Sequence, residues 1–341
     1  MAEGSIDYKV AVFSSSEWVT DSFAEPLKIF KEVSYLPARL EPTSAALAHG
    51  FDAVCIFVND DAGAETLKVL AEGGVKLIAM RCAGYDRVDL AAAKELGIRV
   101  VRVPAYSPRS VAEHALALMM ALARNIKASQ IKMAAGSYTL NGLVGVELTG
   151  KTFGVVGTGA IGREFVKLLK GFEGKVLGYD PYPTDAAREL GVEYVDLDTL
   201  LAQSDVISLH VPLLPSTQKL LGTESLSKLK PTALVINVSR GGLIDTEACI
   251  QALQEDKFAG LAVDVYEGEG ALFFQDWANM NTARRMKQWD QKFIALKSMP
   301  QVIVTPHIAF LTHSALDAIA ATTRDNLVAA AEGKDLVNEV K

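Results

Sequence analysis

Cysteine is scarce. Cys55, Cys82 and Cys249 are scattered over 341 positions, and none belongs to a CxxC pair. Neither a disulfide framework nor a cysteine-based metal site is expected, and a reducing compartment is. Basic residues are in the minority: 34 Lys and Arg stand against 41 Asp and Glu, a net charge of −7. A protein that neutralises phosphates needs the opposite balance, so nucleic acid is excluded as a partner. The densest basic cluster, Arg284, Arg285 and Lys287, reads as a small solvated patch. Long apolar runs are missing too. The longest, Ala115–Ala123, falls far short of the roughly twenty residues a membrane-crossing helix requires. Residues Met1–Asp7 carry neither the basic stretch nor the apolar core of a secretory signal. The expectation is a cytoplasmic protein with no membrane partner. Linkers rich in Ser, Pro or Gly and internal repeats are absent as well. What remains is half hydrophobic and only 22% charged, which excludes a disordered or collagen-like chain. The length suits two domains.

Strand-like and helix-like stretches alternate from end to end. Lys9–Phe13, Ala53–Val58, Lys76–Met80 and Ile98–Val103 are short β-rich runs, with a weaker one at Val33–Leu36. Helical patterns at Ala64–Ala71 and Leu90–Leu96 lie between them, the second closed by Gly97. Five such units predict a parallel, doubly wound domain. After Pro104, Ser107 and Pro108 supply a cap and first position for a long helix with Val111, Ala115, Leu118, Met119 and Leu122 on one face. A second alternating series follows at Thr152–Val156, Lys175–Tyr179, Val206–Leu209, Ala233–Val238, Leu261–Val265 and Val302–Thr305. A last helix, Ser314–Glu332, ends at Gly333, and its expected place is back on the first domain. The predicted division is therefore 1–105 plus 307–341 for one domain and 106–306 for the other, with crossings near Pro104 and Pro306.

Gly157, Gly159 and Gly162 form a GxGxxG turn directly after the strand Thr152–Val156 and open the helix Ala160–Lys170. The first glycine permits the tight turn, the second lets backbone approach a pyrophosphate, and the third lets helix and strand pack closely. The N–H groups of Ala160 and Ile161 then face the phosphates. Asp180 ends the next strand eighteen residues after Gly162, where a ribose-binding acid is expected. A carboxylate accepts from a 2′-hydroxyl and repels a 2′-phosphate, so NAD is favoured over NADP.

Ligands of a doubly wound sheet bind outside the carboxyl ends of its strands. Those ends deliver Ser239 and Arg240, then Asp264 with Glu269 beyond it, then Thr305, Pro306 and His307. One cation, two carboxylates and an imidazole suit reduction of a 2-keto acid. Hydride arrival leaves charge on the carbonyl oxygen, which needs a proton and an electrostatic partner. A histidine suits the proton, a carboxylate such as Glu269 orients its ring, and the planar fork of an arginine holds the substrate carboxylate. His49, His114, His210 and His313 read as structural, with His114 and His313 the readiest exceptions. No metal site is expected.

The sequence resembles the D-2-hydroxyacid dehydrogenase family over essentially its whole length. The matching pieces are Arg81–Asp86, Val103–Pro108, Gly157–Gly162, His210–Pro212, Asn237–Gly242, Asp264–Glu267 and Thr305–His307. The resemblance implies that Arg240 binds substrate, Glu269 pairs with the histidine and His307 is the proton donor. It implies that backbone amides near Ala83 and Gly84 hold the substrate carboxylate. For the cofactor it points to Ala160, Ile161, Asp180, Val211, Pro212, Thr217, Val238, Ser239 and Arg240, with Asp264 at the carboxamide. The fold it implies is α/β, with a flavodoxin-like substrate domain and a Rossmann NAD-binding domain. Tyr106 and Phe310 are expected to wall the substrate's C3, and the long helix after Pro108 with its flanks to make a homodimer or a tetramer. Glu269–Trp277 and His307–Thr312 are most similar to the D-lactate dehydrogenase branch, so the expected reaction is reversible, NADH-dependent reduction of pyruvate. The alternatives are a reductase of hydroxypyruvate, glyoxylate or 2-ketoisocaproate, and an NAD-sensing corepressor-like scaffold. The stretch from Glu269 to His307 is longer than in many lactate enzymes and holds Trp277 and Trp289, which either cover the cleft or pack on the surface.

Overall fold

The computed structural model describes residues 5–340 apart from the side chain of Arg284. The readings of the first four residues and of the Arg284 end of the basic cluster lie outside the described residues. The chain divides into two compact units, one formed by the chain up to Ser107 together with Leu311 onward, the other by Pro108–Phe310.

The first unit runs β1 (Ile6–Val12), α1 (Glu17–Leu27), β2 (Phe30–Tyr35), β3 (Ala53–Ile56), α2 (Ala64–Glu72), β4 (Leu77–Met80), α3 (Leu90–Glu95) and β5 (Arg99–Val101). All strands are parallel, in the flavodoxin-like order β2-β1-β3-β4-β5. β3 and β4 are buried at every position. Helices cover both faces of such a sheet, so its strands read as continuous apolar runs. The final helix, His313–Ala331, lies against α1, β1 and β4. It buries Leu316, Ile319 and Leu327, each worth about 1.5–3 kcal/mol relative to exposure. Asn326 donates to the Arg102 carbonyl at 3.0 Å, and Arg99 makes a two-pronged pair with Glu339 at 2.7 and 3.0 Å.

The second unit begins with α4 (Pro108–Ala123) and α5 (Ile126–Ala134), then β6 (Thr152–Val156), α6 (Ala160–Leu169), β7 (Lys175–Tyr179), β8 (Val192–Tyr194), β9 (Val206–Leu209), β10 (Leu234–Asn237), β11 (Gly260–Val263) and β12 (Val302–Val304). Its sheet is also parallel, in the order β12-β11-β10-β9-β6-β7-β8. The order reverses between β6 and β9, the switch point at which such sheets bind ligands. α4 buries Ala115, Leu118, Met119 and Leu122 and packs on α6, β10 and β11. Two elements leave no periodic trace. β8 is three residues at the sheet edge with a glutamate at its centre, and α5 has no buried residue to mark a stripe.

His210 follows β9 and docks on the sheet through its N–H, which donates to the Val156 carbonyl at 2.7 Å. Its Nε2 meets Ser208 Oγ at 2.9 Å, Phe165 packs 5.2 Å away, and the buried Nδ1 has no hydrogen-bond partner among the described residues. Burial pushes this imidazole down to about 3 from 6.5. The unfolded chain therefore binds a proton that the folded one refuses. Stability conferred by the neutral ring is full above pH 6.5 and is lost as pH falls towards 3, with a slope of up to about 1.4 kcal/mol per pH unit. Urea denaturation of the wild type and of His210→Asn between pH 7 and pH 4 should show a flatter profile for the variant; identical slopes would refute the assignment.

Candidate active site

The glycine turn sits at the switch point. Gly157 has φ +93°, and a Cβ there would lie 2.7 Å from the His210 backbone. A Cβ on Gly162 would lie 2.0 Å from the Gly157 carbonyl oxygen, whereas one on Gly159 would meet nothing within 4 Å. Turn and helix thus close on each other while the outer face at Gly159 stays open to a ligand. The first N–H groups of α6, including those of Ala160 and Ile161, have no partner within the helix and carry the positive end of its dipole. Asp180, just past β7, is held by the turn itself. Its Oδ2 accepts from Thr158 N at 2.7 Å and Thr158 Oγ1 at 3.1 Å, and its Oδ1 from Tyr182 N at 2.9 Å. Tyr194 of β8 bonds the same Thr158 hydroxyl at 2.7 Å. Oδ1 keeps acceptor capacity for a hydroxyl, so these residues fit a dinucleotide. Thr158 and Tyr194 are absent from the sequence reading; Thr158 is an unspecified position of the motif, and nothing in the sequence singles it out.

Val211, Pro212 and Thr217 follow β9. The Thr217 hydroxyl is engaged in its own loop, donating to the Pro212 carbonyl at 2.7 Å and accepting from Leu214 N at 2.8 Å. Val238, Ser239 and Arg240 follow β10. Buried Asn237 shapes this turn: its Oδ1 accepts from Ser239 N at 3.0 Å and its Nδ2 donates to the Arg240 carbonyl at 2.9 Å. The Arg240 Nη1 donates to the Ser239 carbonyl at 2.8 Å. A Cβ on Gly241 would lie 2.0 Å from the Tyr266 carbonyl carbon, so the Arg240 turn is pressed against the segment that leads into Glu269.

Glu269 Oε1 lies 2.8 Å from His307 Nδ1, and Glu269 Oε2 accepts from Tyr266 N at 2.9 Å. Both carboxylate oxygens are committed, so the carboxylate, and with it the ring, has a fixed direction. His307 has φ +57°, a left-handed conformation that costs a non-glycine residue about 1–3 kcal/mol and survives only where surroundings enforce it. Asp264 enforces it. Fully buried, its carboxylate accepts from Thr305 Oγ1 at 2.5 Å, Ile308 N at 2.9 Å and Ala309 N at 2.8 Å, while its carbonyl takes His307 N at 2.8 Å. The expected contact of Asp264 with a carboxamide would require this turn to open, since none of its surface is exposed. Phe310 packs edge-on to His307 at 6.4 Å, and Phe274, within the Glu269–Trp277 stretch, lies 6.2 Å from the same ring. Trp277 Nε1 donates to the Leu272 carbonyl at 2.8 Å and packs with Phe293 on Tyr266, Leu272 and Phe273. Tyr266 Oη reaches Asp290 at 2.8 Å. The long segment therefore braces the residues around Glu269, while Trp289 is half exposed.

Ala83, Gly84 and Tyr106 belong to the first unit. Arg102 Nη1 donates to the Ala83 carbonyl at 2.8 Å, and Cys82 Sγ lies 3.2 Å from the Gly84 carbonyl. The amides of Ala83 and Gly84 donate to no acceptor among the described residues, which leaves two donors side by side. No group of three or more metal-ligating side chains occurs among the described residues. No described helix is long and apolar enough to cross a membrane.

A parallel sheet with this turn at its switch point, an acid held by the turn at the end of the next strand and a histidine–carboxylate pair define an NAD-dependent dehydrogenase. The chain belongs to the D-isomer specific 2-hydroxyacid dehydrogenases, whose NAD binding domain matches residues 116–309. It is 45% identical over 339 residues to the D-lactate dehydrogenase of Escherichia coli, covering 97% of this chain and 99% of that one. The structure of the pyruvate reductase of Chlamydomonas reinhardtii is similar at a TM-score of 0.94 and 48% identity, over 99% of this chain and 100% of the other. That of the Aquifex aeolicus D-lactate dehydrogenase, complexed with NAD and lactic acid, is similar at 0.82 and 32% identity, over 95% and 96%.

A hydrogen bond to a charged group is worth about 1.5–3 kcal/mol, so Asp180→Ala should lower kcat/KM for NADH by about tenfold or more and narrow its lead over NADPH. Steady-state kinetics with both cofactors check this, and an unchanged ratio would remove Asp180 from the ribose.

Proposed function

We propose that this D-2-hydroxyacid dehydrogenase is a D-lactate dehydrogenase, reducing pyruvate with NADH and running in reverse on D-lactate. The observation that carries the reading is the oriented Glu269–His307 pair with the Phe310 and Phe274 rings about it. Similarity to a pyruvate reductase and to D-lactate dehydrogenases supports the choice of substrate.

We assign His307 Nε2 as the proton donor to the carbonyl oxygen, with Nδ1–H directed to Glu269. NADH supplies the hydride when bound. As negative charge grows on the oxygen, the imidazole delivers its proton there and Glu269 stabilises the ring throughout. In the reverse direction the same nitrogen takes the hydroxyl proton. Arg240 holds the substrate carboxylate and polarises the carbonyl. The amides of Ala83 and Gly84 are assigned to the same carboxylate, and Tyr106 and Phe310 to the substrate's C3. Gly157, Gly159, Ala160, Ile161 and Gly162 are assigned to the pyrophosphate, Asp180 to the ribose, and Val211, Pro212, Thr217, Val238 and Ser239 to the remaining cofactor contacts. The domain reading follows the same roles, with the flavodoxin-like unit serving substrate and the Rossmann unit NAD.

A second copy of this chain is the proposed partner. α5 and the loop after it expose Ile131, Met133, Tyr138, Leu140 and Val144, the last at 91%. Isolated apolar side chains need no explanation, but five within one short stretch suit a self-complementary interface. None of the three cysteines forms a disulfide, which suits a reducing, cytoplasmic setting.

An NADH-oxidation assay with pyruvate, hydroxypyruvate, glyoxylate and 2-ketoisocaproate tests the reading. Pyruvate should lead in kcat/KM and 2-ketoisocaproate should be poorest. Overpacking a pocket costs about 1–3 kcal/mol, so Phe310→Ala should raise the branched substrate relative to pyruvate by about tenfold. His307→Ala should abolish most turnover while NADH still binds. A wild-type preference for 2-ketoisocaproate would replace the lactate reading with a branched-acid one.

A further inference from the structure

The geometry points to His114 as a positioning residue that acts through Thr305 and Asp264 on the turn carrying His307. This rests on His307 being the proton donor. His114 lies in the middle of α4, which packs across β11 and β12, the two strands whose ends supply Asp264 and Thr305. Its Nε2 is 3.0 Å from Thr305 Oγ1 and 3.4 Å from Asp264 Oδ1.

Proton bookkeeping fixes the direction of the chain of bonds. Asp264 already takes two backbone N–H groups and is an acceptor, so the single hydroxyl proton of Thr305 goes to its Oδ1 at 2.5 Å. The hydrogen between Thr305 and His114 must then sit on His114 Nε2. A histidine N–H thus donates to a threonine, the threonine donates to a buried carboxylate, and the carboxylate gathers Ile308 N and Ala309 N behind the left-handed His307. The relay runs from α4 to the backbone of the turn. Groups that orient a working residue in this way commonly matter nearly as much as the residue itself.

Leu cannot donate to Thr305, whereas a Gln amide reaches the position of Nε2. In the NADH-loaded protein, His114→Leu should lower kcat for 2-keto acid reduction by roughly 10–100-fold, with the Kd for NADH within about threefold, and His114→Gln should recover most of the loss. The pair Thr305→Val and Thr305→Ser repeats the comparison one bond along and decides the matter if His114→Leu does not fold. An activity-independent reading comes from 15N-histidine NMR. The wild type should carry a proton on His114 Nε2, and the His307 Nδ1 proton resonance should move in His114→Leu and return in His114→Gln. A His114→Leu kcat within about twofold of wild type, a Gln variant no better than Leu, or a His114 protonated only at Nδ1 would each overturn the assignment. If the wild type reduces none of the 2-keto acids, the functional reading fails instead, and the NMR comparison still decides the role of His114.

Discussion

One buried carboxylate organises the turn that carries His307 in the second unit. Removing Asp264 from water is unfavourable unless its lone pairs are filled, and they are filled by the residues that flank His307: Thr305 on one side, Ile308 and Ala309 on the other. The desolvation cost is thereby converted into geometry. Three donors converging on one group from a stretch of five residues leave the backbone little choice but to curl, and His307 is carried into the left-handed region by that curl. Glu269 completes the arrangement from a different loop, its second oxygen tied to the Tyr266 amide so that the first points at the ring.

Close approach of backbones is the second requirement, and glycine meets it at two turns. At Gly162 a side chain would strike the Gly157 carbonyl, and at Gly241 it would strike the Tyr266–Glu267 peptide. The first contact brings the helix N-terminus against the sheet. The second holds the turn bearing Arg240 against the one leading to Glu269. Both packings come from the absence of an atom, which is why no hydrogen-bond pattern announces them.

Much of this was legible in the sequence because it depends on short-range order. Alternating apolar runs exposed the two parallel sheets, and glycines and an acid at fixed spacing exposed the nucleotide turn. Reading the residues just beyond each strand end singles out Arg240, Glu269 and His307, of which the structure pairs the last two. What escaped depends on tertiary partners. β8 is too short and too polar to show a period, yet its Tyr194 steadies the hydroxyl that clamps Asp180. Phe274 adopts φ +60°, which no local pattern of an aromatic residue suggests. The Trp277 segment is held by an aromatic cluster whose members are scattered from Tyr266 to Phe293. Asp264 is legible as a strand-end acid, but its occupation by the His307 turn depends on Thr305, Ile308 and Ala309 closing around it in the fold.

The first unit is discontinuous, and that has a consequence for the newborn chain. Its five strands are complete once Val101 has been made, but the helix that lies on β1, β4 and α1 is His313–Ala331. The whole of the second unit is synthesised in between, as an uninterrupted stretch. At typical translation rates of about 5–20 residues per second, those two hundred or so residues keep one flank of the first sheet uncovered for about 10–40 seconds. The second unit has all of its sequence available to fold during that interval, whereas the first must wait for residues 313–331. A vectorial order of folding is thus written into the connectivity, with a helix made after the second unit sealing a sheet made before it.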